Sequence, residues 1–404
     1  MTGEQAGTAT QPVAGQGDTG RRVPEVDALR GFALGGIVLV NVLVLSGTYG
    51  RTAVDPAVAG ADLVAHWLVI AFFETKFYLL FSFLFGYSFT LQMESARRAG
   101  AAFVPRMLRR LTGLLLLGAA HMALLYSGDI LTMYAVLGLI LLAARNAPPE
   151  RLWRAARWFY AVPVVLLVLV GALAGAAYTP DPSATADATR EAARIAEEMR
   201  GGAADVIGAH LATWPEAMGA LLLMGGSIVA AFLVGCGAGK RRLLTGGVVD
   251  PARLRRTRAI GLAVGLPGGL LMAAGTVAPL PERWEVVCFA LGMAAAPMLT
   301  AAYVSALMLW FTTPRGARLA ALLAPAGRMA LTNYLSQSLV LALVFTGYGL
   351  GLYGRTGAAV ACAVALAVYA AQLFLSARLM RRYSHGPVEW VLRTVTLGRP
   401  PRRS

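Results

Sequence analysis

Long apolar runs joined by short polar connections dominate this chain. A bilayer core takes about twenty consecutive apolar residues to cross. Ten stretches approach that length, at residues 30–49, 76–95, 107–127, 130–146, 157–177, 214–238, 259–280, 286–311, 329–349 and 357–377. The pattern predicts an all-α, polytopic helical bundle with about ten transmembrane helices. The connections carry the second signal. With both termini placed in the cytoplasm, most of the 36 lysines and arginines fall on the inner side, as cytoplasmic loops require.

The spans and connections divide the chain into a tail at residues 1–20, a single transmembrane domain at 21–397, and a second cytoplasmic tail at 381–404. Within the domain, 30–177 holds five spans, 178–213 forms an extracytoplasmic loop, and 214–380 holds five more. The first tail, MTGEQAGTATQPVAGQGDTG, has too few large apolar residues to offset the entropy of ordering. No basic region and apolar core precede a cleavage site, so it is not read as a signal peptide. In the 178–213 loop, ATREAARIAEEMR is rich in alanine, and Arg194 lies three and four residues before Glu197 and Glu198. A short helix is expected there, either solvated or resting as a lid through Ile195 and Met199.

Composition agrees: 57% of the 404 residues are hydrophobic and 14% are charged. The net charge of +15 reflects the inner loops. Nucleic acid is not expected as a partner, because no polar stretch is long enough to build a basic face. Cys236, Cys288 and Cys362 sit in apolar runs without a CxxC pair, and the four histidines are scattered, so no metal site is expected. GCGAGKRR at 235–242 lacks the spacing of a phosphate loop.

Polar residues inside the spans carry the chemistry, since such groups are costly in hydrocarbon and face packed or wet interiors. Arg30 and Asn41 are eleven residues apart in the first span, on one face and about 16 Å apart along the axis. Arg110 and His121 repeat the offset in the third span. Gly31 and Gly35 form a GxxxG face for close packing, and Gly118 is suited to the same use. Asp27 fits a helix start. Asp129, before ILTMY, suits an N-cap, which is compatible with a functional role beside His121. Lys76 is one of only two lysines in the chain and reads as a responsive donor or as the ion-pair partner of Glu74. Asn333 and Gln337, one turn apart, either stitch helices together or line a site. His66, in the loop before the second span, is open to a substrate from outside, whereas His210 and His385 carry less information.

Taken in order, DALRGFALGGIVLVN, KFYLLFSFLFG, GAAHMALLYSGDILTMYAVLGL, GRMALTNYLSQS and GPVEWVLRTVTLG resemble the YeiB-like family of bacterial multispanning proteins, from about residue 22 to 397. That family is similar to the membrane acyltransferases that include heparan-α-glucosaminide N-acetyltransferase. The resemblance implies a protein of the bacterial cytoplasmic membrane that moves an acyl group, acetyl in the first instance, from cytosolic acyl-CoA to an amine or hydroxyl acceptor. The acceptor would be a small molecule or glycan, among membrane lipids and with no metal. The acetyltransferase carries its reactive histidine between its first two spans, where His66 lies here. His121 and Asp129 belong to the YeiB pattern itself, and they are expected as general base and orienting carboxylate. Arg30, Arg109, Arg110 and Arg328 are expected to hold the acyl-CoA phosphates. Asn41, Lys76, Asn333, Gln337 and His66 are expected to contact the acceptor or the oxyanion. A transporter or lipid-handling protein is the competing class, and the oligomeric state stays open between monomer and homodimer.

Overall fold

The computed structural model describes residues 23–49, 58–245 and 250–398, and among these every regular element is helical. The expected tail at residues 1–20 lies outside the described residues. Eight of the expected spans appear as helices, or as part of one continuous helical stretch, long and apolar enough to cross a membrane. This is a multispanning membrane protein. The two expected spans at 130–146 and 329–349 are shorter apolar helices instead, and both begin beside the site described below.

Helix α1 (Pro24–Leu45) starts with Pro24 in its first turn together with Glu25 and Asp27, whose charges suit the positive end of the helix. It is buried over most of its circumference, which marks it as the central element. The connection after it, read as a loop, contains helix α2 (Gly60–Phe72). Helix α3 (Lys76–Arg98) follows after a break of three residues. Thirteen apolar residues are too few to span a bilayer alone, which is why α2 did not register as a span. Helix α4 (Phe103–Leu124) and the short α5 (Leu131–Ala143) pack against each other. The lipid-facing α6 (Pro149–Ala176) is almost wholly exposed along its apolar window, as hydrocarbon contact requires.

The 178–213 loop holds two helices, α7 (Pro182–Arg200) and α8 (Ala203–Ala212). Arg194 pairs with Glu191 and Glu198 along α7. Met199, Val206 and Ala209 bury their side chains with Ile195, Tyr348 and Tyr353, and the Gly347 amide donates to Met199 O at 2.9 Å. The hairpin therefore rests on the bundle through Ile195 and Met199, while the polar side of α7 stays exposed.

The chain continues through α9 (Trp214–Lys240), α10 (Pro251–Thr276), α11 (Glu285–Phe311), α12 (Pro314–Arg328), α13 (Ala330–Phe345), α14 (Ala358–Leu379) and α15 (Pro387–Leu397). Helix α9 packs between α3 and α6, α10 pairs with α11, and α1 lies against α12, α13 and α14. Small residues set the closest approaches. A Cβ at Gly31 would stand 2.2 Å from Leu323 O, and one at Gly327 would stand 1.8 Å from Asp27 O. The expected glycine face of the first span is therefore the α1–α12 seam, with Gly35 against Tyr369 of α14. The segment after residue 380, read as a tail, folds back as α15 and packs on α4, with Leu392 buried between them. Its first-turn Glu389 explains the docking, as described below.

Candidate functional site

His121 lies in the last turn of α4, and Asp129 closes the turn that leads into α5. The His121 Nδ1 and Asp129 Oδ1 are 2.8 Å apart, and both side chains are buried. The other carboxylate oxygen, Oδ2, accepts the Thr132 amide at 2.7 Å. One carboxylate thus holds the first-turn Thr132 amide of α5 and meets the imidazole. The acceptor on Nδ1 fixes that nitrogen as the N–H donor and leaves a lone pair on Nε2 in the neutral ring. Nε2 is buried with no hydrogen-bond partner among the described residues. Buried polar atoms without partners are rare and call for a cause. Gly118 permits the geometry, because a Cβ there would lie 2.6 Å from Asp129 Oδ2 and 2.5 Å from the Thr132 amide nitrogen.

Tyrosine rings flank the imidazole, Tyr334 with its centroid at 5.0 Å and Tyr126 at 6.1 Å. Tyr334 also lines a cavity of about 370 Å³ with Ile37, Phe81, Ile130, Leu131 and Tyr134. His121 itself stands one side chain behind this wall. At its other end the cavity reaches Arg30, Arg110, Arg328, Gln92 and Ser95. A second recess of about 280 Å³ adjoins through Gln92, Ser95, Arg110 and Glu389 and adds Arg106, His385 and Arg393. Three of the four expected arginines therefore share one basic mouth. Arg30 is held by Asp27 at 2.7 Å and by the Ser88 hydroxyl, and Arg328 donates to Ser384 O at 3.2 Å. The Arg110 Nε is buried without a hydrogen-bond partner among the described residues. Arg109, on the neighbouring face of α4, is exposed and lines neither recess.

The eleven-residue spacing places its polar ends together: Arg30 and Arg110 meet at the mouth, while Asn41 Oδ1 accepts from the Tyr126 hydroxyl at 3.3 Å on the far side of His121. Four other expected residues are engaged elsewhere. His66 is buried in α2, with Nε2 2.8 Å from Thr48 O and Nδ1 3.0 Å from Asp62 O, so each ring nitrogen faces a backbone carbonyl. Lys76 is fully buried and donates to Ile70 O at 3.1 Å, and its tip lies against Met272 of α10. It serves the carbonyl end of α2, where a cation suits the helix dipole, and makes no ion pair with Glu74. Asn333 donates to Ala326 O at 3.1 Å and Ser376 Oγ at 3.0 Å, and Gln337 donates to Gln372 Oε1 at 2.8 Å. These carboxamides stitch α12, α13 and α14 together, because their stripe faces α14 while Tyr334, the next residue, faces the cavity.

Several residues of the site were not singled out from the sequence. Glu389 accepts the Leu331 amide at 2.7 Å, the Thr332 amide at 3.0 Å and the Thr332 hydroxyl at 2.5 Å, so α15 caps the start of α13. Tyr126 and Tyr334 carry no charge, and only their position in the motifs around GDIL and GRMALTNYL pointed to them; Ser88 lies outside both motifs.

Residues 238–399 match the family described as "Protein of unknown function (DUF418)". The chain is 31% identical to the uncharacterized protein YxaH of Bacillus subtilis (strain 168), over 94% of this chain and 95% of that one. An uncharacterized 39.9 kDa protein in the amylase 3′ region of Bacillus acidopullulyticus is 29% identical over 94% of each chain. The uncharacterized protein YeiB of Escherichia coli (strain K12) is 30% identical over 92% of this chain and 95% of its own. Similarity at this level along nearly the whole length of both chains means that the protein belongs to the YeiB-like family of multispanning membrane proteins.

Proposed function

We propose that this protein is an acyltransferase of the bacterial cytoplasmic membrane that takes an acyl group from cytosolic acyl-CoA and delivers it to an amine or hydroxyl acceptor. In this reading the basic mouth, and with it both termini, faces the cytoplasm. The observation that carries it is the His121–Asp129 pair, with its unpartnered Nε2, one side chain behind the blind end of an arginine-rimmed cavity. The cavity has the form such a donor needs, polar and cationic at the mouth and apolar inward. Arg30, Arg110 and Arg328 would take the phosphates. The thioester would reach Tyr334, whose ring separates the cavity from the imidazole, so a small displacement of that side chain is part of the proposal.

Chemically, the acceptor heteroatom attacks the thioester carbonyl while its proton passes to His121 Nε2, with Asp129 holding the imidazolium. The tetrahedral oxyanion collapses, the carbon–sulfur bond breaks, and the departing thiolate takes the proton back from the imidazolium. The buried Tyr334 hydroxyl, beside the Ile130 backbone, is the nearest candidate oxyanion donor; such donors lower a barrier by about 3 kcal/mol.

The test uses the purified protein in detergent with acetyl-CoA, following free thiol release with panels of amine and alcohol acceptors. His121→Ala is expected to abolish transfer while acetyl-CoA still binds. Undiminished turnover in that variant would remove His121 from the reaction. Absence of both binding and thiol release in the wild type would favour a transporter instead.

A further inference from the structure

The break between α2 and α3 carries a second set of unsatisfied groups. Thr75 has φ +66° and ψ −38°, and the Lys76 amide bonds back to Glu74 O at 2.8 Å, which makes a γ-turn of the rare positive-φ kind centred on Thr75. A β-branched residue pays steric strain there that glycine would not. The Thr75 side chain is 3% exposed, and its hydroxyl meets no partner among the described residues. The same is true of Glu74 Oε2, while Oε1 accepts the Tyr49 hydroxyl at 2.7 Å. A carboxyl oxygen and a hydroxyl are thus left open at one turn.

The turn adjoins the candidate site. Phe73 packs in one cluster with Tyr126 and in another with Tyr334, the two rings that flank His121. Asn41, bonded to Tyr126, lies on the same side. The basic cavity thus approaches His121 past Tyr334, and the broken helix approaches it past Tyr126.

Resting on the acyl-transfer reading, we propose that Glu74 and Thr75 form the acceptor half-site and that it takes a neutral, hydroxyl-bearing molecule in preference to an amine. Charge decides between the two classes. The fully buried Lys76, two residues from Glu74, already places a cation beside the turn. A cationic ammonium would add an uncompensated charge at a buried site, whereas hydroxyl groups satisfy both open atoms without one. One acceptor hydroxyl binds at Glu74 and Thr75. Another attacks the thioester, its proton passes to His121, and the carbon–sulfur bond to CoA breaks.

The test compares the full-length wild type with Glu74→Gln and Thr75→Gly. The glycine variant removes the hydroxyl while relieving the strained turn, so it is expected to be at least as heat-stable as the wild type. Binding of glucose and glycerol, set against n-propylamine and cadaverine, is read by calorimetry, and thiol release from acetyl-CoA is followed in parallel. The expected result is binding of the neutral probes only, weakened about tenfold in each variant, with acetyl-CoA affinity unchanged. Preference for the amines, binding of neither class, or unchanged neutral-probe affinity in both variants would overturn the proposal. Loss of probe binding without thiol release from any variant or the wild type would uphold the half-site and remove the acyl-transfer reading. Thiol release that responds to the neutral probes equally in all three proteins would remove the half-site alone.

Discussion

Gly118→Ala tests the geometry of the site with one methyl group. A Cβ at this position would stand 2.5 Å from the Thr132 amide nitrogen and 2.6 Å from Asp129 Oδ2, where ordinary contact begins at 3.4 Å. Asp129 must therefore retreat by about 0.8 Å, because Gly118 sits inside α4 and its own backbone has little room to move. Two stability terms oppose each other. Alanine is the better helix former by about 1 kcal/mol, whereas overpacking costs about 1–3 kcal/mol, so the net loss is about 0–2 kcal/mol and the protein stays folded. Function is affected far more, since a displacement near 1 Å costs a reaction of this type about 10²-fold. Thermal midpoint in detergent and acetyl-CoA thiol release measure the two effects separately. Nitrogen NMR of labelled histidine reports directly whether Nδ1 keeps its carboxylate. A variant with full turnover and an unchanged His121 signal would refute the claim that the close approach of α4 to α5 positions the pair.

Arg110→Ala is expected to weaken acetyl-CoA binding about tenfold or more, since charge-assisted contacts to phosphate are among the stronger hydrogen bonds, while Arg109→Ala leaves it unchanged; equal effects in direct binding measurements would count against the assigned mouth. Gln372→Leu is expected to lower stability by roughly 1–3 kcal/mol by leaving the buried Gln337 amide without its partner. The KM for acyl-CoA should not move in that variant, and a shift in KM would place the α13–α14 carboxamides in the site after all.

Much of the architecture was legible in the chain. The apolar run at 30–49 is long enough to cross a bilayer, so most of α1 follows from length and hydropathy alone. The His121–Asp129 pair was legible for a related reason. Two ionisable groups eight residues apart in an apolar stretch must find partners, and a turn after Gly128 brings each within reach of the other. The broken helix was not legible. Residues 60–72 are too few to span, and only their stacking on α3 through the γ-turn at Thr75 makes a continuous stretch of membrane length.

Sequence by itself determined that the chain is a membrane bundle, where its costly polar groups lie along each helix, and that Arg30 with Asn41 and Arg110 with His121 share a face. Tertiary packing alone decided what those groups do. Hydrocarbon obliges a buried lysine, histidine or carboxamide to find a partner but does not specify which one. Packing sent Lys76 to the end of α2, both nitrogens of His66 to backbone carbonyls, and Asn333 with Gln337 to α12 and α14. It left His121 Nε2, Glu74 Oε2 and the Thr75 hydroxyl unanswered. The direction in which a helix turns its polar stripe depends on the shapes of all its neighbours together, and no single stretch of sequence contains that information.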